Sequence, residues 1–192
     1  MKVGILALQG DFTEHQAILS DLSVDAPQVR LPEELQGLDG LIIPGGESTT
    51  IGKLAVDFHL IEPLREFARS HAVWGTCAGS ILLSKDARRE QPLLEVMDIQ
   101  VARNAFGRQV DSFEIDIEFP VLAELGGENL PFHAVFIRAP LIEQVGERAE
   151  AIGWLPDGGI IAAKQDNLLA TSFHPELTAD NRFHRYFLEM IR

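Results

Sequence analysis

Three short runs, KVGILALQ from Lys2, LDGLIIPGG from Leu38 and AVWGTC from Ala72, are apolar on both alternating faces and end in glycine or polar clusters. Runs of that length without polar alternation predict strands covered on both sides, as in a mainly parallel sheet. After the second and third runs the pattern turns helical, which predicts helices over Ser48 to Asp57 and Ala78 to Asp86. Strands that feed helices in this way belong to an α/β fold.

The middle of the chain follows a different rule. QVDSFEIDIEF alternates strictly, with Phe113, Ile115, Ile117 and Phe119 on one face and Ser112, Glu114, Asp116 and Glu118 on the other, so it predicts a half-exposed strand. AIGWLPDGGIIAAKQDNLLATSF predicts an antiparallel meander with turns at Pro156-Asp157-Gly158-Gly159 and Asp166-Asn167. In the last segment Phe183, Tyr186, Phe187, Met190 and Ile191 fall at helical spacing and form one apolar stripe. No internal repeat, low-complexity tract or linker interrupts the chain, and residues 1–192 are expected to form one domain.

Composition narrows the function classes. The chain has 46% hydrophobic and 23% charged residues, as soluble globular proteins do. A net charge of -13 without a basic patch argues against nucleic acid and anionic membranes as partners. The one cysteine cannot form an intramolecular disulfide, which favours a reducing compartment. No segment has the pattern of a secretion signal or the length to span a bilayer, so the expected location is the cytoplasm.

That cysteine has a telling context. Gly75-Thr76-Cys77-Ala78-Gly79 has the layout of a nucleophile elbow, a strained strand-to-helix turn in which small neighbours avoid collision. A sulfur at a helix start faces unpaired N–H groups that favour its thiolate. Of the six histidines, His15, His184, His71 and His133 have ordinary places in predicted helices, a helix end and a strand. His174 instead follows the strand LLATSF, is stiffened by Pro175, and has Glu176 two residues on, where a carboxylate can orient the ring. The order Cys, His, Glu predicts a catalytic triad. In IIPGGEST a strand breaks at Pro44-Gly45-Gly46, and an N–H there can join that of Ala78 in an oxyanion hole. GESTTIGKL is no phosphate-binding loop, because five residues separate Gly46 from Gly52 and Leu54 stands where a metal-binding hydroxyl is required.

LALQGDFTEH, PGGESTT, GTCAG, RNAFGRQVDSFE, FIRAP and SFHPELT, in that order, resemble the motifs of the class I glutamine amidotransferases, and within them of the branch that forms the glutaminase subunits of pyridoxal 5'-phosphate synthase. GTCAG and HPE mark the broad class, whereas RNAFGRQ and LQGDF are specific to the vitamin B6 branch. Trp74, Ser80 and the polar stretch DARREQP depart from that pattern without touching the expected chemistry. The resemblance implies a three-layer α/β/α fold with a mainly parallel central sheet plus antiparallel strands. It also implies hydrolysis of L-glutamine to glutamate and ammonia, with ammonia passed in a hetero-oligomer to a synthase subunit that uses ribose 5-phosphate and glyceraldehyde 3-phosphate.

Carried over residue by residue, Cys77 is the nucleophile, His174 its acid and base, and Glu176 the orienting carboxylate. Gly46, Glu47, Ser48, Arg103, Ile137 and Arg138 contact glutamine, Gly46 and Ala78 form the oxyanion hole, and Gln9 lies near the synthase interface. An arginine suits the substrate carboxylate, and Glu47 suits its ammonium. No metal or cofactor is expected. Two other readings stay open on the residues alone: a different cysteine hydrolase built on the same elbow, and a non-catalytic regulatory subunit of the synthase.

Overall fold

Side chains alternate across a strand, and in this chain both sides of the alternation are buried. In the strand Gly40–Ile43, Leu41 and Ile43 join one apolar cluster while Ile42 joins another; in Ala72–Thr76, Val73 joins the first and Trp74 the second. A sheet with two buried faces needs a helical layer on each, which is the expected three-layer α/β/α arrangement.

The computed structural model describes residues 1–103, 112–123, 125 and 130–191. In chain order the first half runs β1 (Val3–Leu6), α1 (Phe12–Asp21), β2 (Gln28–Val29), β3 (Gly40–Ile43), α2 (Ser48–Asp57), α3 (Ile61–Ala68), β4 (Ala72–Thr76) and α4 (Ala78–Leu83). It continues with β5 (Ser84–Asp86), β6 (Met97–Ala102), β7 (Ser112–Ile117), α5 (Pro120–Ala123), β8 (Phe132–Ile137), β9 (Leu141–Val145), β10 (Glu150–Trp154), β11 (Ile160–Gln165), β12 (Leu168–Thr171) and α6 (Arg182–Met190). The large sheet has the order β2-β1-β3-β4-β12-β11-β9-β6-β5, with β10 on β11. From β2 to β12 all neighbours are parallel, whereas β10, β11 and β12 pair antiparallel.

One face carries Ile51 and Ala55 of α2, Leu64 of α3, and Ile81 and Leu82 of α4. The other carries Leu19 of α1 and Phe183 and Phe187 of α6, packed on an aromatic group of Trp74, Phe119, Phe132 and Phe173. Phe183 meets Phe119 and Phe132 edge-on at ring separations of 4.9 Å each. This edge-to-face contact is the favoured geometry for aromatic pairs.

Helix α2 spans the expected residues, and the meander forms as expected, with Gln165 opposite Leu168 across the Asp166-Asn167 turn. The alternating strand is β7, but it pairs with β8 in a separate two-stranded sheet. The helix expected over Ala78 to Asp86 ends at Leu83. Ser84 turns extended and its hydroxyl donates to the Ile81 carbonyl at 2.7 Å, so residues 84–86 leave as the edge strand β5 beside β6. The polar Ser-Lys-Asp sequence suits an edge better than the apolar side of a helix. Residues 104–111 of the motif RNAFGRQVDSFE lie outside the described residues. Among the described residues no helix is long and apolar enough to cross a membrane.

Candidate active site

The carboxyl ends of four adjacent parallel strands, β1, β3, β4 and β12, open into the segments bearing Gln9, Gly46, Cys77 and His174. Ligand sites in α/β sheets form at that edge, because the loops there leave backbone N–H groups and side chains free to converge.

Cys77 sits between β4 and α4 with φ 46° and ψ -107°. A positive φ on a residue with a Cβ is strained, by about 1–2 kcal/mol. The strain is locked in from both sides. The Cys77 N–H donates to the Thr171 carbonyl at 2.8 Å, and its own carbonyl accepts the Ser80 hydroxyl at 2.6 Å. The flanking glycines are needed for room: a Cβ on Gly79 would collide with the Ile43 carbonyl, and one on Gly75 with Gly79 itself.

The structure brings the expected imidazole and carboxylate to this sulfur. His174 Nδ1 lies 2.6 Å from Glu176 Oε1, in a turn (Pro175–Leu177) that follows β12, and the His174 N–H donates to Val135 of β8 at 2.8 Å. Burial works against an imidazolium, yet hydrogen bonding and charge attraction from Cys77 and Glu176 outweigh it and push His174 up to about 11. Burial raises Glu176, while its bond to His174 pulls the other way. The backbone at Gly45 lies flush with the imidazole, since a Cβ there would meet His174 Cε1 at 2.5 Å.

A cavity of about 360 Å³ opens in front of this group, and Gln9, Gly46, Glu47, Ser48, Cys77, Ala78, Arg103, Ile137, Arg138 and His174 all line it. Glu176 stands behind His174, 6% exposed. Gly46 has φ 152°, and Gln9 Oε1 accepts the Glu47 N–H at 2.7 Å, so Gln9 braces the glycine turn from inside the cavity. Glu47 caps α2: its carboxylate accepts the N–H and hydroxyl of both Thr49 and Thr50. Partial burial raises Glu47, but these bonds outweigh it and hold the carboxyl down at about 2. Arg103 Nη2 lies 2.8 Å from Glu47 Oε1, so the two expected substrate-binding charges pair with each other. Ile137 ends β8 and Arg138 follows it, both at the cavity rim.

Some neighbours carried no signal in the one-dimensional pattern. Asp11 Oδ2 approaches His174 Nδ1 at 3.4 Å, and Leu177 lines the cavity although it is 43% exposed. His15 and His184, given ordinary helical places by the sequence, are both fully buried behind Glu176. Among the described residues, Asp11, His174 and Glu176 are the one trio of ligand-type groups close enough to share an ion, their atoms lying within 4.8 Å. Nδ1 of a protonated His174 is already a donor to Glu176 and has no lone pair to offer a cation.

Comparison with known proteins gives concordant results. Residues 5–192 match the model of the SNO glutamine amidotransferase family. Pyridoxal 5'-phosphate synthase subunit PdxT of Herpetosiphon aurantiacus is 58% identical over 193 residues, covering 98% of this chain and 99% of the relative. PdxT of Dehalococcoides mccartyi is 55% identical over 196 residues, covering 100% and 98%. A crystal structure of a glutamine amidotransferase, 49% identical, superimposes with a TM-score of 0.91 and covers 98% of each chain.

Proposed function

This chain belongs to the SNO glutamine amidotransferase family, and from that membership we propose that it is the glutaminase subunit of a pyridoxal 5'-phosphate synthase. Residues 1–192 act as one glutaminase unit that hydrolyses L-glutamine to glutamate and ammonia in the cytoplasm and hands the ammonia to a synthase subunit. The observation that carries this reading is the strained Cys77 facing His174, which is itself bonded to buried Glu176, at the base of a cavity of about 360 Å³.

The chemistry follows from proton positions. With the proton on His174, Cys77 attacks the carboxamide carbon as a thiolate, and the C=O electrons move to an oxyanion. Backbone N–H groups at Gly46 and Ala78 stabilise that charge where it develops. His174 then protonates the departing nitrogen, which leaves as ammonia, and a glutamyl thioester remains. Acylation has a second effect. It removes the hydrogen bond and the charge that Cys77 supplied to His174, so the influences holding that proton weaken as the ring becomes the base. Neutral His174 takes a proton from water, hydroxide attacks the thioester, and glutamate leaves with the thiolate regenerated.

Recognition of a free amino acid needs both of its charges met. Glu47 Oε2 already accepts from Thr49 and Thr50, whereas Oε1 is shared between the Thr49 N–H and Arg103. Together these bonds fill the roughly four lone-pair sites of a carboxylate. The substrate ammonium therefore takes the place of Arg103 at Oε1, and the released guanidinium turns to the α-carboxylate; Ser48, Ile137 and Arg138 complete the pocket. Ammonia reaching bulk water at neutral pH is protonated and loses its nucleophilicity, which is the physical reason for a closed route into the partner. Gln9, which braces the glycine turn, lies in the segment where partner contact reaches the site.

The test is glutamine hydrolysis with and without the cognate synthase subunit, comparing wild type with Cys77→Ala. Loss of at least about 1,000-fold in the variant is expected, since removing the nucleophile of such a unit disables it as a whole. Ammonia-dependent synthesis should be unchanged. If Cys77→Ala retains glutamine-dependent synthesis, a binding-only subunit replaces this reading.

A further inference from the structure

Behind the triad lies a second, buried layer of polar groups that the hydrolysis above does not use. Glu176 turns one oxygen, Oε1, to His174 at 2.6 Å. The other, Oε2, is buried and makes no hydrogen bond among the described residues, and His15 Nε2 stands 3.3 Å from it. The same Nε2 lies 3.2 Å from Thr76 Oγ1, one residue before the nucleophile. On the far side of the ring, His15 Nδ1 lies 2.9 Å from His184 Nε2, while His184 Nδ1 is buried with no partner among the described residues.

Electrostatics choose between the two tautomer patterns. If Nδ1 of His15 held the hydrogen, it would donate to His184 Nε2, and His184 would bury an N–H at Nδ1 with no acceptor among the described residues. His15 Nε2 would then aim a lone pair at a carboxylate oxygen 3.3 Å away, which is repulsive. If Nε2 holds the hydrogen, it is shared between Glu176 Oε2 and Thr76 Oγ1, and His184 Nε2–H donates to His15 Nδ1. The orphan is then one lone pair at His184 Nδ1, less unfavourable than a stranded donor. Burial holds both rings neutral: His15 is lowered by burial and by the charges of His184 and His174, and His184 is lowered to about 3 by burial. A neutral ring has one N–H, so the pattern is all or none.

We propose that His15 is a positioning residue for hydrolysis, fixed by His184 as the Nε2–H tautomer and donating to the outer oxygen of Glu176, so that the inner oxygen stays aimed at His174. The proposal rests on the glutaminase reading for its kinetic part only. Its wider content is that the orientation and proton affinity of His174 are set partly from a ring two groups away from the sulfur. The charged or titratable groups around the chain of contacts are Cys77 and Asp11 at His174, His174 and Asp11 at Glu176, and His184 and His174 at His15.

Three measurements on the full chain, the kinetic one in complex with the synthase subunit, decide it. Long-range ¹H–¹⁵N correlation of the imidazoles in wild type should give His15 as Nε2–H; an Nδ1–H tautomer overturns the proposal whatever the activity. His15→Leu, which cannot donate, should lower kcat for glutamine about tenfold with KM nearly unchanged, as expected for losing one hydrogen bond to a buried charge. His15→Gln, whose amide reaches the place of Nε2, should restore most of that loss. Equal damage by Leu and Gln, or none by Leu, overturns it. Alkylation of Cys77 by iodoacetamide across pH needs no glutamine: the His15→Leu profile should be displaced from wild type and that of His15→Gln should not, and superimposed Leu and wild-type profiles count against the proposal. Failure of wild type to hydrolyse glutamine would instead sink the glutaminase reading and leave the tautomer and alkylation results standing. Should His15→Leu fail to fold, the wild-type tautomer and the Gln variant still decide.

Discussion

At the scale of single residues, the site is a problem in sharing lone pairs. Glu47 answers to a helix start, to Arg103 and, in the proposed reaction, to an ammonium group. With its carboxyl held at about 2, it stays ionised across any assay range, so its part in KM for glutamine should be flat from about pH 5 to 9. Glu47→Gln keeps an oxygen for the Thr49 and Thr50 donors but not the charge. KM should rise about tenfold or more, as for a lost bond to a charged group, and the unfolding midpoint should fall modestly, because the charge that caps α2 and pairs with Arg103 is gone; steady-state kinetics and a thermal melt on one preparation separate the two. His174 and Glu176 were legible because Pro175 and a two-residue spacing tie them together within the sequence. His15 was not, since its partner Glu176 lies far along the chain and only folding brings the two rings and the carboxylate together.

At the scale of elements, the elbow joins a strand, a strained residue and a helix of six residues. Its glycines announced it in the sequence, and the structure supplies the reason, namely that β3 passes so close that the Ile43 carbonyl leaves no room for a Cβ on Gly79. The end of α4 was less legible. ILL continues a helical pattern, and only pairing of residues 84–86 with β6 pulls them out of it. The strain at Cys77 can be measured without any assay. Glycine tolerates φ 46° and alanine does not, so Cys77→Gly should be more stable than Cys77→Ala by about 1 kcal/mol in urea unfolding. At an unstrained helix start the order would be reversed, because alanine restricts the unfolded chain.

For the molecule as a whole, these buried groups tie stability to pH. His15 and His184 are neutral when folded and have lowered affinity for protons, so unfolding releases them to titrate at the ordinary imidazole value of 6.5. Their contribution is complete above about pH 6.5 and is lost as pH falls from there, toward about 3 for His184. Each group accounts for at most about 1.4 kcal/mol per pH unit in that window. His174 has the opposite sign: raised to about 11, it contributes fully below 6.5 and loses its contribution as pH rises through its folded value. Glu176, raised by burial, has the sign that favours acid: its relief sets in as pH falls through its raised folded value, is complete at the ordinary carboxyl value of 4.5, and partly offsets the loss from the histidines. Urea midpoints should therefore fall on both sides of neutrality. Between pH 6.5 and 5 the acid slope should be about halved in His184→Gln, which removes one titrating ring and keeps an amide to donate to His15 Nδ1. On the alkaline side, Cys77→Ala should flatten the decline, since it removes the sulfur that holds the proton on His174. A midpoint independent of pH from 5 to 9 would mean that the three histidines titrate alike folded and unfolded, and the buried layer behind the triad would then have no electrostatic hold on the site.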